Sequence, residues 1–388
     1  MRDQMTHQAE AWLLYAQEES GTPSRATLVR ETIRVPQPGP GEVLAEPLYG
    51  CWEGNMGHAV NRHPVDICRQ RGETKVVIGN AGVVRVRACG EGVTTVEPGQ
   101  HAIIFCTGVE DRWGYPDKIL AYDAPGSMGC LSTLMRLRER QLIPVPEGTR
   151  HSLAQWAAFS LRYITAWTNW ELAYGVFRLS VPAEECPAPH VWGWGGGVSL
   201  AELDLARRHG CRALMLSGSD HHLASIPRGI ARLDRRELGE LSFDERRYAS
   251  DPSYRAQYRE VERRFVEAVR QHTDGEMVQV FLDYVGAPVY RLTLRALSRE
   301  GVITTAGWKE GMEMRHLRAK ECIDRHQHVH THYARYSQGV QAVRYAEEHD
   351  WMPRVEGRIY AFDEVPELAD DYEAERTGYF PCFSVNPN

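Results

Sequence analysis

An α/β protein, in which an all-β part precedes an alternating α/β part, is predicted by three features of this chain. The first is residues 191–199 (V-W-G-W-G-G-G-V-S), a short apolar strand running into a glycine cluster. The second lies directly downstream: residues 200–208 (L-A-E-L-D-L-A-R-R) at helical spacing, then an apolar strand at residues 213–217, within the roughly 30-residue span of a βαβ unit. The third is the upstream texture. From about Ala26 to Val145, short strand-like runs are broken by Gly and Pro.

At the glycine cluster a Cβ would block the tight bend and keep the backbone from approaching a pyrophosphate. The helix behind it aims free N–H groups and a positive dipole end at such an anion. Gly193, Gly195, Gly196, Gly197 and Val198 are therefore expected to form a dinucleotide-binding turn. Strand, glycines, helix and second strand occur together, which a loop between core elements does not require.

Upstream, strands are expected at residues 42–48, 83–88 and 101–105, with turns at residues 38–41 and 97–99; short strands separated by such turns read as a barrel or distorted sandwich. After Gly148, residues 154–161 and 166–172 have helical patterning. A polar stretch, residues 233–273, interrupts the α/β alternation, and residues 254–271 within it carry apolar positions at helical spacing. Further strands are expected at residues 278–283 and 301–307. From about Asp324 strand character returns, as though the chain rejoined the first domain. The expected division is residues 1–155, then 156–322 with the polar insertion, then 323–388.

Composition narrows the function. At 388 residues the chain exceeds one ordinary core, so two domains are the default. A net charge of −7 argues against a nucleic-acid or anionic-membrane surface. The nine cysteines show no C-x-x-C and no regular spacing, which suits reduced cytosolic thiols better than a disulfide framework or a four-cysteine metal site. The N-terminal residues lack the apolar run of a signal peptide, and no stretch approaches the ~18 apolar residues of a membrane span. A cytoplasmic protein is expected.

Motifs in a consistent order resemble the medium-chain dehydrogenase/reductase superfamily across nearly the whole chain. They are residues 77–86, 90–99 (G-E-G-V-T-T-V-E-P-G), 142–148 (L-I-P-V-P-E-G), 163–167 (Y-I-T-A-W), the glycine turn, 282–286 (L-D-Y-V-G) and 297–303. The resemblance implies a GroES-like β domain, split by the chain, around a Rossmann dinucleotide-binding domain. Trp192 before the turn, the polar insertion, and residues 331–335 (T-H-Y-A-R) are similar to the crotonyl-CoA carboxylase/reductase branch of enoyl-thioester reductases.

The departures are informative. Zinc-bearing members have G-H-E where this chain has Gly79, Asn80 and Ala81, and an amide with a methyl group does not replace an imidazole ligand and its charge partner. No close cysteine quartet lies between Cys106 and Cys130, so no metal site is expected. Carboxylating relatives carry a W-G-F-E-like segment. Here residues 113–116 read W-G-Y-P, which favours plain reduction over reductive carboxylation. The third glycine of the turn appears as Ser199.

NAD-specific folds end the second strand with an acid on the ribose 2′-hydroxyl. Here that end reads Ser217, Gly218, Ser219, Asp220, His221, His222. Ser217, Ser219 and His222 would receive the 2′-phosphate of NADPH (NADP+), with Asp220 one residue too late for the usual acid but a charge against a phosphate. That the serines only close a turn stays open.

The resemblance places a nicotinamide near Thr165, Val285 and Gly307. Hydride delivery to an enoyl thioester further needs a donor to the thioester oxygen and a proton for the α-carbon. Glu53 and Asn55 lie where the branch has an N-Y-N-like stretch, although Trp52 and Glu53 differ from its residues, and Glu53, Tyr115 or Tyr163 would supply the proton, unless Glu53 is an exposed charge. The run 326–332 (H-Q-H-V-H-T-H) would line four imidazoles along one strand face. The resemblance puts His332 in the active site; the others would be a half-exposed polar face or hold a metal ion.

The expected function is zinc-independent, NADPH-dependent reduction of an α,β-unsaturated acyl thioester carried by CoA or a carrier protein. A quinone, enone or carbonyl oxidoreductase and a non-catalytic protein of the same fold are the alternatives. The resemblance also implies a homodimer joined by sheet edges near residues 301–305.

Overall fold

The computed structural model describes residues 6–17, 24–307, 313–331 and 333–386. They fall into two compact units, one from the chain up to Ile164 and from Ala334 onward, the other from Thr165–Tyr333.

The first unit is mostly antiparallel sheet. β1 (Thr6–Tyr15) pairs with β2 (Val29–Pro36), ahead of β3 (Glu42–Cys51). Two helices, α1 (Gly54–Asn61) and α2 (Ile67–Arg71), then interrupt the stretch read from sequence as all-β. α2 has caps at both ends. The Asp66 carboxylate accepts from the N–H groups of Cys68 and Arg69 at 3.0 and 3.3 Å, and Gly72 closes the helix at φ 69°. Helices of one or two turns have too little periodicity to stand out in a sequence.

β4 (Lys75–Val76), β5 (Gly82–Cys89) and β6 (His101–Ile104) come next. The hairpin of β7 (Thr107–Glu110) and β8 (Pro116–Ile119) precedes β9 (Met135–Arg138) and β10 (Leu142–Pro144). The main sheet runs β10-β6-β5-β3, with β9 also on β3.

α3 (Leu153–Ser180) is one continuous helix of 28 residues where the pattern suggested two. Neither Gly nor Pro occurs in residues 162–165 to break it.

The second unit holds the predicted βαβ element: β11 (His190–Trp194), α4 (Gly197–Arg208) and β12 (Arg212–Ser217). α5 (Asp220–Ser225) leads to β13 (Ala231–Asp234), an edge strand too short and polar to show in the sequence. α6 (Glu245–Ser250) and α7 (Pro252–His272) precede β14 (Val278–Leu282). α8 (Ala287–Ala296), β15 (Leu297–Thr305) and β16 (His328–Thr331) complete the sheet. Its order is β13-β12-β11-β14-β15-β16, with every neighbouring pair parallel. Successive connections turn in opposite directions on either side of β11, so a crevice opens between the C-terminal ends of β11 and β14.

The polar insertion proves to be the crossover from β13 to β14, and α7 is its main part. Asp251 caps α7, accepting from the N–H groups of Ser253 and Tyr254 at 2.9 and 3.1 Å. Tyr254, Tyr258, Val261, Phe265 and Val269 form its buried stripe, in one cluster with Trp192 and Trp194 of β11. The two tryptophans therefore pack against this helix; the rings of Trp194 and Phe265 stack with centroids 5.6 Å apart.

Two expectations are corrected here. The strand near residue 328 does not return to the first unit: β16 is the sixth strand of the parallel sheet, hydrogen-bonded to β15. Residues 301–305 are not a sheet edge either, because β15 is flanked by β14 and β16. Among the described residues the sheet ends at β13 and β16. A half-polar strand such as H-V-H-T is what an edge position tolerates, and its polarity disguised its parallel partner.

The chain re-enters the first unit with α9 (Tyr336–His349), α10 (Val365–Glu373) and β17 (Cys382–Ser384), which pairs antiparallel with the end of β3. Among the described residues no helix is long and apolar enough to cross a membrane.

Candidate active site

In the second unit the glycine turn opens α4 at the C-terminal end of β11. Gly196 caps the helix at φ 150° and ψ 158°, a conformation essentially confined to glycine. A Cβ on Gly195 would come 3.2 Å from the Leu216 carbonyl oxygen. One on Gly193 would lie 3.2 Å from Leu282 Cβ and 3.4 Å from Ser199 Cβ. Ser199 replaces the third glycine without loosening the helix because Gly193, opposite, leaves room for it. Gly197 and Val198 form the first turn of α4.

Ser217 ends β12, buried, and its Oγ accepts from the Ser219 N–H at 3.5 Å. Ser219 caps α5, accepting from the His222 N–H at 3.4 Å. The serines thus do close a turn, with His222 placed beside them. Sequence reading missed Arg235. Its side chain lies across Gly218, where an added Cβ would be 2.5 Å from Nε, and no carboxylate pairs with it among the described residues. The charge of Asp220 is offset by an ion pair with Arg236, which also holds Asp234 at 2.6 Å. The two arginines thus balance the two carboxylates at this tip, and Arg235 is the cation there with no carboxylate partner among the described residues. Two successive arginines, Arg235 and Arg236, downstream of the Ser-Gly-Ser run were the available signal, legible only once β13 was known to lie beside β12.

Val285 and Gly286 are held from below. The buried Asp283 carboxylate accepts from their N–H groups at 3.1 and 2.9 Å and from the Thr293 hydroxyl at 2.7 Å. Thr293 Oγ1 in turn accepts from the Trp194 indole at 2.8 Å. β11, β14 and α8 are thereby locked together around the crevice. Burial raises the Asp283 pKa from 3.8 to about 6 against the three hydrogen bonds that lower it. The folded state then binds a proton the unfolded chain has released between those values, so this contribution to stability is present below pH 4 and is lost as pH rises through 6. The stability difference between wild type and D283N, followed by denaturant unfolding, is expected to move in favour of wild type as pH falls from 7 to 4. A pH-independent difference removes Asp283 as the titrating group.

A second buried acid, Glu202 on α4, accepts from the Tyr284 hydroxyl at 2.5 Å, and burial pushes its carboxyl well above the ordinary range. Thr165 begins the unit within α3, and its carbonyl accepts from the Asn169 amide at 3.0 Å. Gly307 comes after β15 with φ 68°.

In the first unit Glu53 is no exposed charge. It caps α1, is 3% exposed, and pairs through Oε2 with Arg162 Nε of α3 at 2.8 Å. Arg162 also donates to the carbonyls of Trp52, at 2.7 Å, and Tyr379. Burial raises the Glu53 pKa and the guanidinium pulls against it. Arg162 was overlooked because one arginine among apolar residues of a helix reads as a solvent-facing position. Glu53 Oε1, Asn55 Oδ1 and both polar atoms of the Asn80 side chain are buried with no hydrogen-bond partner in the structure. Buried polar atoms seldom stay unmatched, so this is where a polar ligand or water would be accepted. Tyr163 is buried among Phe159, Trp351 and Phe380.

His332 lies outside the described residues. His326 precedes β16 with φ 53°, and its Nδ1 meets Glu300 at 2.8 Å, while His328 Nε2 lies 3.9 Å from the same carboxylate. His328 and His330 stack with centroids 6.2 Å apart. Among the described residues no group of three His, Cys, Asp or Glu is placed to hold a metal ion.

A split β unit and a six-stranded parallel unit with a glycine turn on its first strand make up the medium-chain dehydrogenase/reductase fold. No family model matches the chain. Crotonyl-CoA reductase of Streptomyces avermitilis is 22% identical over 372 residues, spanning 89% of this chain and 79% of its own. A solved crotonyl-CoA carboxylase/reductase, AntE, in complex with NADP superposes with a TM-score of 0.79 at 20% identity, over 98% of this chain and 95% of that one. The 2-octenoyl-CoA carboxylase reductase CinF, in complex with NADP and 2-octenoyl-CoA, gives 0.77 at 16% identity, over 97% and 87%.

Proposed function

We propose that the protein is an NADPH-dependent reductase of an α,β-unsaturated acyl thioester, working without zinc. The observation that carries this reading is the crevice of the second unit: a glycine-only bend at Gly196, next to a strand tip where Ser217, Ser219 and Arg235 replace the ribose-binding acid. Those residues fit a 2′-phosphorylated dinucleotide. The pyrophosphate would lie on the N–H groups opening α4, and the locked Val285–Gly286 backbone would border the nicotinamide with Thr165 and Gly307. Bound there, NADPH supplies a hydride for the β-carbon of the enoyl group.

The chain's own part is to hold the acceptor and handle one proton. Glu53 is assigned the proton for the α-carbon, with Asn55 a donor towards the thioester oxygen. The unmatched Oε1 of Glu53 and a Glu53 pKa raised by burial support the proton role. Tyr163 and His332 are kept as further proton carriers. The relatives named as crotonyl-CoA reductases and the solved neighbours carrying NADP support the substrate class. Pro116 opens β8, buried, where carboxylating relatives have a carboxylate, which supports reduction without carboxylation. A homodimer and a cytoplasmic location belong to the same reading.

The test is oxidation of NADPH by purified protein with crotonyl-CoA and longer enoyl-CoA thioesters. Turnover is expected with NADPH well above that with NADH; no turnover on any enoyl thioester despite stoichiometric NADPH binding overturns the enzyme. R235A is expected to weaken NADPH binding about tenfold or more, the worth of a charge-assisted hydrogen bond, and to leave NADH binding unchanged. Equal losses for both cofactors would remove Arg235 from the 2′-phosphate site.

A further inference from the structure

We propose that the second unit carries another anion site, at the opposite end of its strands from the glycine turn, which takes a small polyphosphorylated molecule. The cleft, of about 790 Å³, lies between α7, α8 and the start of β15. It reaches Met277 and Leu297, which sit at the N-terminal ends of β14 and β15. The dinucleotide crevice is at the C-terminal ends of the same sheet, so the two places do not overlap.

Its walls are unusually cationic. α7 contributes Arg259, Arg263 and Arg270, and α8 contributes Arg291 and Arg295. Arg299, Lys320 and Arg325 close the far side. Two carboxylates, Glu262 and Glu267, line it, and Glu260 and Asp324 beside it pair with Arg263 at 2.7 Å and Lys320 at 3.2 Å, which leaves the eight cations an excess of four on a chain whose net charge is −7. Concentrating like charge in a concave surface focuses the field and is unfavourable until a counter-ion enters.

Several of these side chains are already fixed. Glu262 accepts from Arg291 at 3.2 Å and Arg295 at 2.5 Å. The Arg291 guanidinium lies 5.2 Å from the ring centre of Phe243 and 4.9 Å from that of Tyr248, and its buried Nε has no partner. Arg325 donates to the Leu294 carbonyl at 2.8 Å and to that of Leu297. Arg270 and Arg299 have no carboxylate partner among the described residues. Guanidinium groups bind phosphoryl oxygens in pairs of parallel hydrogen bonds. Cations on α7, α8, β15 and residues 320–325, around a volume typical of small-molecule sites, suit at least two phosphoryl groups better than a single one.

The experiment is calorimetric titration of the full-length protein with inorganic tripolyphosphate and with ATP, at low and high salt. One site per chain is expected, weakening as salt rises, and tighter for ATP if a nucleoside is recognised. R270E/R299E is expected to weaken tripolyphosphate binding at least tenfold, whereas G196A, which alters the dinucleotide turn, leaves it unchanged. No uptake by the wild type, or equal uptake by R270E/R299E, overturns the site. Loss of uptake in G196A would place the anion on the glycine turn and overturn it as well. If light scattering shows R270E/R299E changing the oligomer while the wild type takes up no tripolyphosphate, the cleft is an interface between copies instead.

Discussion

R162M is expected to lose about 3–5 kcal/mol of stability, the usual consequence of stripping one partner from a buried ion pair. Arg162 and Glu53 are 6% and 3% exposed, and the guanidinium serves one carboxylate and two backbone carbonyls. Removing it leaves a buried carboxylate with no counter-charge, so the Glu53 pKa should climb further and part of the loss should be relieved at low pH. The double variant E53L/R162M carries no buried charge, only the carbonyls of Trp52 and Tyr379 to be satisfied. It is expected to lie between wild type and R162M in denaturant unfolding. A double variant less stable than R162M would show that the stranded Glu53 carboxylate is not what costs the single variant its stability. The double variant, which has no carboxyl at residue 53, should abolish turnover on enoyl thioesters if Glu53 handles the proton.

G196A is expected to weaken NADPH binding about 5- to 150-fold, the equivalent of the roughly 1–3 kcal/mol of strain that a Cβ brings to this region of backbone space. The bend must be held at φ 150° for the N–H groups behind it to open α4, and an alanine relaxes by moving them. G210A is the comparison. Gly210 also has positive φ, at 79°, and lies beyond the other end of α4, with open space around its Cα. It should cost stability of similar size and leave cofactor affinity alone. Equal affinity losses in both variants would mean that general destabilisation, not the turn, sets binding.

Much of the fold is legible in the sequence alone. The glycine run, the helix and the second strand are each local patterns, and β11, α4 and β12 occupy those stretches. The strands read at residues 42–48, 83–88 and 101–105 correspond to β3, β5 and β6. Less legible are elements whose stability comes from elsewhere. β13 and β16 are short, half-polar edge strands with little pattern of their own, and they form because β12 and β15 offer unpaired backbone groups. The candidate site divides the same way. Gly193, Gly195 and Gly196 announce themselves by type, but Arg162, Arg235 and Asp283 are ordinary charged residues in sequence.

By itself, then, the amino-acid order determined the parts whose signal is local: hydrophobic period, glycine at a bend, the residue types at the end of the second strand. Tertiary structure alone decided which charges are buried and which partners they meet. It made Glu53, read from sequence as a proton donor or an exposed charge, half of an enclosed pair, set Arg235 across Gly218, and gathered eight cations from α7, α8 and the end of the unit into one cleft. The reason is physical. Periodicity and turn chemistry act over a few residues, whereas desolvation and Coulomb interaction depend on distances between residues that lie far apart along the chain.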